Sequence, residues 1–334
     1  MVLKLRRAVV TSADPLRVEV DGDERPAWAD HGLVGDVREG DEVVVNTEAL
    51  DLGLGSGGFD VVHVNLTRGL AGAGAGRDHV MKLNYSSLQH PVETVERGVD
   101  APRATPPPVL VLPLHGHLAP AAWAAAQAHP GLKLGYVHAG GGALPGALSR
   151  DVAELRSRGL LAGHVTAGSA YGGEREAIAL VGALDAAAEL GWEAVAVGPG
   201  PGVIGSETRY GHGGMAALDA VHAALALGAP TIVSPRMSSG DSRPRHRCLS
   251  HHTATVLELA LGPVAVAAPE SDSPDELQEA CGDRHELRTH QVDLAGYAAS
   301  GLPSQTMGRA LDEDRLFFAA ALAGGAALAD EAGR

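Results

Sequence analysis

The first part of the chain is patterned as short β-strands. Apolar runs lie between Gly- and Asp-rich turns, and no helical period separates them. Closely spaced short strands of this kind are typical of a small barrel or sandwich. The predicted strands are 8–12, 16–22, 41–49 and 59–67. The sequence therefore predicts a small β-rich, barrel-like domain over residues 1–95.

A second pattern follows a connection at 96–108, which mixes charge with Pro and shows no apolar period. From 109 to 334, short apolar strands alternate with amphipathic helices, and this alternation predicts a Rossmann-like α/β domain: a mostly parallel sheet with flanking helices. The predicted strands are 109–114, 133–139, 163–168, 193–198, 230–236, 264–270 and 285–293, and the predicted helices are 148–159, 174–191, 215–228 and 253–262.

Composition supports a large, closely packed core. Hydrophobic residues make up 45% of the 334 residues, whereas aromatic residues make up only 3%. Small aliphatic side chains suit helices that pack closely on a parallel sheet. The apolar run 316–330 is too short to span a bilayer, which takes about 18 residues, and it predicts a buried helix.

Several classes of protein are disfavoured. The first residues lack the pattern of a signal peptide, which favours a cytoplasmic protein with no membrane contact. Cys248 and Cys281 are too few for a disulfide framework or a Cys-based zinc site. A net charge of -15 argues against nucleic-acid binding, which needs a basic face. Helices rich in small residues, with an apolar C-terminus, favour a homodimer.

The unusual residues fall in the loops that follow the predicted strands. In a parallel α/β sheet, ligands bind outside the carboxyl ends of the strands. The return loops from helix to strand are short and plain, so the sequence predicts one polar face. The loops of that face are 115–117, 138–145, 166–176, 199–214 and 236–252.

The last of these loops concentrates positive charge in an acidic protein. Residues 236–252 hold four arginines and three histidines but a single acid, Asp241. Planar guanidinium groups suit phosphate or carboxylate, and glycine-rich loops before helices suit anions. The candidate ligand-binding residues are Arg236, Arg243, Arg245, Arg247, Ser250 and His252, together with His138, Gly172, Gly173, Gly200, Gly202, Gly205 and Ser206.

Proton transfer, if the protein is an enzyme, is assigned to a small set of residues. His115, His251, Glu174 and Glu207 lie in the predicted loops as candidate acids and bases. The alternative for His115 is a metal site shared with His117. No phosphate-loop, dinucleotide or nucleophile-elbow motif is present, so the cofactor and the reaction type stay open.

Seven segments together resemble an uncharacterised bacterial family, a domain of unknown function, over nearly the whole chain. This resemblance carries no known activity, cofactor or catalytic residue. The segments are DHVMKLNYSSLQ, LHGHLAP, ALPGALSRDVAELRSRGLL, TAGSAYGGEREAI, GPGPGVIGSETRYGHGG, RPRHRCLSHHT and TMGRALDEDRLFF.

Three functions are compatible with these observations. The first is binding of a small anionic molecule, for example a phosphorylated one, by a hydrolase or transferase that uses His and Glu. The second is a non-catalytic ligand sensor or interaction module. The third is a metal-dependent hydrolase, which requires His115, His117 and a third ligand to converge.

Overall fold

The computed structural model describes residues 2–53, 58–72, 80–96 and 106–334. The chain forms two compact units, Met1–Val92 and Glu93–Arg334. Of the predicted connection 96–108, only residue 96 and residues 106–108 belong to the described part.

The first unit contains a closed five-stranded barrel with strand order β1-β2-β3-β5-β4. Neighbouring strands are antiparallel, except that β3 and β5 are parallel. The strands are β1 (Leu5–Ala13), β2 (Leu16–Val20), β3 (Asp23–Trp28), β4 (Glu42–Asn46) and β5 (Asp60–Asn65). Two short helices, α1 (His31–Val34) and α2 (Glu48–Asp51), and a hairpin of β6 (Val80–Lys82) and β7 (His90–Val92) complete the unit.

The predicted barrel is confirmed, but β3 was missed. Its sequence, DERPAW, is mostly charged and contains Pro, and its side chains are exposed or half-buried. The strand therefore carries no apolar alternation. The barrel interior comes instead from valines of the other strands, including Val18 and Val43, which are fully buried.

The second unit is built on an eight-stranded, all-parallel sheet, which confirms the predicted α/β class. The strand order is β11-β10-β9-β12-β8-β13-β16-β17. The strands are β8 (Val109–Val111), β9 (Leu134–Ala139), β10 (Gly163–Ala167), β11 (Arg175–Ala177), β12 (Ala194–Pro199), β13 (Thr231–Val233), β16 (Ala265–Pro269) and β17 (Glu286–His290). Two small hairpins, β14 (Met237–Ser238) with β15 (Cys248–Leu249) and β18 (Gln305–Thr306) with β19 (Arg309–Ala310), lie outside this sheet.

Successive residues of the central strands are apolar, so both faces of the sheet are hydrophobic, and helices cover both of them. One core contains residues of α5 (Leu180–Asp185), α6 (Ala216–Ala226), α7 (His251–Leu259) and α8 (Asp275–Cys281). The other contains residues of α3 (Leu118–Ala128), α4 (Arg150–Ser157), α9 (Leu294–Ala299) and α10 (Arg315–Ala332). The predicted buried C-terminal helix is α10. Among the described helices, none combines the length and apolar character that crossing a bilayer requires.

One predicted helix is partly a strand. The helical pattern at 174–191 yields α5 only from Leu180, and β11 precedes it. The Glu176 side chain is buried, and its carboxylate accepts hydrogen bonds from the Thr166 hydroxyl and the Gly172 N–H, both at 2.7 Å. These contacts hold the segment beside β10, and they outweigh its helical propensity.

The connections change direction at the centre of the sheet. From β9 the chain leaves through α4 on one face, whereas from the adjacent β12 it leaves through α6 on the other. Adjacent strands whose connections diverge in this way leave a crevice at their carboxyl ends, where ligands of open α/β sheets bind.

Candidate functional site

Four histidines meet where the loop after β12 and the loop after β13 come together. His212 ends the first loop, His246 lies in the second, and His251 and His252 begin α7. The rings of His212 and His252 stack with centroids 3.6 Å apart and planes 5° from parallel. Four further ring pairs of the group have centroids 4.5 to 5.3 Å apart. We call these histidines, with Arg236, the His–Arg cluster.

Arg236 follows the end of β13 and is almost fully buried. Its Nη1 donates to Nδ1 of His252 at 3.0 Å. Its backbone N–H donates to the Thr253 hydroxyl at 2.8 Å, and its carbonyl accepts from the Ser250 N–H at 2.9 Å. Ser250 is the N-cap of α7. The start of α7 therefore fixes both the backbone and the side chain of Arg236.

Positive charge exceeds negative charge around Arg236. Arg243 donates to both oxygens of buried Asp241, at 2.9 and 2.7 Å. Arg309 pairs with buried Asp314 at 2.9 Å, and Arg236 reaches Asp241 only at 3.8 Å. Within the described part of the chain, this group thus holds three arginines against two carboxylates.

The histidines of the cluster are held in their neutral form. Burial, aided by the charge of Arg236, lowers the pKa of His246 to about 3 and the pKa of His252 to about 2. Burial also lowers the pKa of His212 and of His251. The pKa of Arg236 falls to about 10, chiefly through burial, so its guanidinium stays charged at neutral pH. The charge of the cluster therefore belongs to Arg236.

An ion pair at the surface joins the two loops. Arg245 Nη2 lies 3.1 Å from Glu207 Oε1. Glu207 is 77% exposed at its side chain and Arg245 34% exposed, so the pair is open to water. Glu207, a predicted catalytic residue, serves here as the counter-charge of Arg245. Arg247, a predicted ligand-binding residue, is exposed.

The glycine-rich loop after β12 folds back on itself. Gly205 forms a β-bridge with His212. The N–H and the hydroxyl of Ser206 both donate to the Gly211 carbonyl, at 2.7 and 3.0 Å. The predicted donors of Ser206 are therefore used inside the loop, and the loop's contribution to the cluster is to position His212.

A cleft of about 400 Å³ adjoins the cluster at the carboxyl ends of β9 and β10 and the start of α6. Its position is the crevice expected where the connections of β9 and β12 diverge. His212 belongs to both the cleft and the cluster. The lining residues are Ala139, Gly140, Gly141, Ala167, Gly168, Ser169, Leu180, His212, Gly213, Ala216 and Asp219.

The predicted pair His115 and His117 hydrogen-bonds to two different serines. His115 Nε2 is 2.7 Å from the Ser149 hydroxyl. His117 Nδ1 is 2.9 Å from the Ser234 hydroxyl, and its ring meets the edge of Phe317 with centroids 4.6 Å apart. Both histidines are buried, and burial lowers their pKa to about 4 and about 3.

His138 belongs to a different group of stacked rings. Its ring stacks with His164 at 5.8 Å and with Tyr136 at 6.1 Å between centroids. Gly200 lies directly against it, because a Cβ there would be 2.3 Å from His138 Nε2. Gly202 adopts a φ of 72°, which favours glycine. Here the glycines make room for a side chain and a turn of the protein itself.

The loop after β10 is likewise satisfied by internal contacts. The Gly172 N–H donates to Glu176, and the Gly173 N–H donates to the Thr166 hydroxyl at 3.1 Å. Glu174, predicted as a base, is half-exposed and pairs with Arg156 at 2.5 Å. None of the predicted residues Gly172, Gly173 and Glu174 belongs to the cleft lining or the His–Arg cluster.

A metal ion does not fit the cluster in this arrangement. Ring nitrogens of His212, His251 and His252 lie within 4.8 Å of one another. However, imidazole lone pairs lie in the ring plane, and two parallel rings 3.6 Å apart cannot both point at one ion. His252 Nδ1 already accepts from Arg236, whose charge repels a cation.

The family of the chain follows from its sequence match. A family described as a protein of unknown function (DUF3866) matches residues 27–325. The chain belongs to this family. No curated protein and no solved structure gives a match. The near full-length resemblance to an uncharacterised family is thus confirmed. In this member of DUF3866, the matched range includes the whole His–Arg cluster and the cleft.

Sequence reasoning missed three members of the site in this DUF3866 chain. His212 lies in the predicted loop 199–214 and His246 in the predicted loop 236–252, but neither is among the candidate site residues. Arg309 is not among them either. His212 follows a glycine-rich hairpin directly before α6, and this strand–loop–helix position was the available signal. Arg309 lies in the small hairpin before α10, and the sequence shows nothing that links it to Asp241.

Proposed function

We propose that the α/β unit binds a small anionic molecule at the His–Arg cluster. The observation that carries this proposal is the excess of one positive charge in a group whose Arg236, Asp241 and Asp314 side chains are buried. Arg236, Arg243 and Arg309 share the carboxylates of Asp241 and Asp314. A buried charge without a full counter-charge raises the free energy of the folded protein. A bound anion would remove that cost.

The neighbouring groups add hydrogen bonds to the anion. The cluster is built at the start of α7, where backbone N–H groups favour negative charge. Neutral imidazoles can each donate one ring N–H. The ring N–H of His212 is already used, because its Nε2 lies 3.0 Å from the Arg209 carbonyl, which can only accept. Arg245 lies at the edge of the cluster and supplies a second, accessible guanidinium.

Of the predicted catalytic residues, His251 is the one that belongs to the cluster. It is half-buried, whereas the other three histidines of the cluster are buried. If the protein acts as a hydrolase or transferase on the bound anion, we assign the proton transfer to His251. Glu174 and Glu207 are held in ion pairs with arginines. Binding is therefore the function that this geometry supports best.

Two opposite substitutions test the proposal. Arg245→Ala removes the accessible guanidinium and should weaken the binding of inorganic phosphate about tenfold, as loss of a charge-assisted hydrogen bond does. Glu207→Gln removes the carboxylate that competes for Arg245 and should tighten binding several-fold. Isothermal titration calorimetry at low ionic strength gives both dissociation constants.

Arg158→Ala is the matched control, because Arg158 forms a comparable half-exposed ion pair with Glu154 at 2.5 Å, in α4. Its phosphate affinity should equal that of the wild type. Absence of phosphate binding by the wild type at millimolar concentration would contradict the proposal. An equal loss of phosphate affinity in Arg245→Ala and Arg158→Ala would mean that the effect comes from the net charge of the protein alone.

A further inference from the structure

The cleft beside the His–Arg cluster is larger than a simple anion requires. Its volume of about 400 Å³ falls within the roughly 300–1,000 Å³ of sites for small organic ligands. A single water takes about 30 Å³ of liquid volume. A ligand that fills this space has an uncharged body in addition to its anionic group.

The walls of the cleft are mostly backbone and small apolar side chains. Gly141 and Gly213 form the closest approach, since a Cβ on Gly141 would lie 2.3 Å from the Gly213 carbonyl oxygen. Gly141 also has a φ of 100°, which only glycine adopts without strain. Leu180 contributes the one large apolar side chain of the lining. The two glycines therefore let their loops pack directly against each other, and the small side chains of the lining leave the cleft open.

The polar side chains of the cleft differ in burial and charge. His212 is buried and stacks on His252, which binds the Arg236 guanidinium. Ser169 and Asp219 are exposed. No lysine or arginine in the described residues pairs with Asp219, which lies in the first turn of α6. The lining therefore includes a histidine of the His–Arg cluster as well as a hydroxyl and a carboxylate that are open to solvent.

His212 contains an unsatisfied ring nitrogen. Its Nδ1 is buried and has no hydrogen-bond partner among the described residues. His212 as a whole is 8% exposed. Its Nε2 proton is held by the Arg209 carbonyl, so a neutral His212 has an acceptor at Nδ1 and offers no free N–H to an anion.

We infer that the ligand is a phosphorylated sugar or a molecule of the same chemistry, with an anionic group at the His–Arg cluster and hydroxyl groups facing Asp219 and Ser169. A carboxylate accepts hydrogen bonds from hydroxyls and repels a second anion, so Asp219 sets the orientation. This inference rests on the proposed anion site and specifies the substrate class of that site.

The test compares ribose 5-phosphate with inorganic phosphate on the full-length protein by isothermal titration calorimetry. The wild type should bind ribose 5-phosphate at least tenfold more tightly than phosphate. Asp219→Asn should remove most of this advantage, because a hydrogen bond to a charged group is worth about a tenfold change in affinity. Its affinity for phosphate should stay within twofold of the wild type.

Asp275→Asn is the control, because Asp275 is an exposed acid in the first turn of another helix, α8. It should retain the full preference for ribose 5-phosphate. Equal binding of the two probes by the wild type, or an Asp219→Asn variant with an intact preference, overturns the inference and leaves the anion site standing. Binding of neither probe overturns the proposed function itself.

Discussion

Burial lowers the pKa of several histidines of this protein, and the stability of the fold depends on that. His117 is fully buried, and burial lowers its pKa to about 3, whereas an unfolded chain has a histidine pKa near 6.5. Below pH 6.5 the unfolded state therefore takes up a proton that the folded state does not. This contribution to stability is complete above pH 6.5 and is lost as the pH falls toward 3.

His117→Gln tests this point. The free energy of unfolding of the wild type should fall with decreasing pH below 6.5, and each such histidine contributes about 1.4 kcal/mol per pH unit. The variant should show a slope smaller by about that amount in urea denaturation between pH 4.5 and 6.5. The exposed His31 is the control, since His31→Gln should leave the slope unchanged. An unchanged slope in His117→Gln would mean that His117 is not held neutral.

The site residues show how far single residues can be predicted. Arg236, His251 and His252 were found because one short segment holds them. His212 belongs to the site because its ring stacks on His252. This contact requires α6 and α7 to start side by side, and the sequence does not show that. Glu174 and Glu207 were selected for their residue type, and their partners Arg156 and Arg245 lie 18 and 38 residues away along the chain. Residue type suggests chemistry, but the partners come from the fold.

At the scale of elements, most strands of the sheet were predicted because they are buried apolar runs, and β17 was predicted although its residues are exposed or half-buried. β11 was the exception, since side-chain contacts of Glu176 rather than apolar alternation hold it. β3 was missed in the barrel for lack of an apolar pattern. Elements whose apolar residues repeat with the period of a strand or helix can be predicted from the sequence. Elements held by hydrogen bonds to distant residues cannot, because those bonds leave no such pattern.

Trp192 packs across β9 and β10 and makes a glycine necessary in each. A Cβ on Gly135 would lie 1.8 Å from the indole ring, and one on Gly163 would lie 2.9 Å from it. Gly135→Ala should therefore cost about 1–3 kcal/mol through overpacking, measured by urea denaturation. In a Trp192→Leu background the same substitution should cost clearly less. An equal cost in both backgrounds would show that the indole is not the cause.

At the scale of the whole molecule, every described residue of the cleft and of the His–Arg cluster belongs to the second unit, Glu93–Arg334. A truncated protein that consists of residues 93–334 should thus bind phosphate with a dissociation constant within twofold of the full-length value. Circular dichroism confirms that the shortened chain is folded. A folded chain that no longer binds would show that the barrel unit contributes to the site. The homodimer stays a prediction.

A crystal structure of the full-length protein soaked with selenate tests the central claim most directly, because anomalous scattering locates selenium without prior assumptions. We expect a peak whose oxygens lie within hydrogen-bond distance of at least two members of the set Arg236, Arg245 and His251. No peak in this region, with the anion bound elsewhere or not at all, would contradict the anion site.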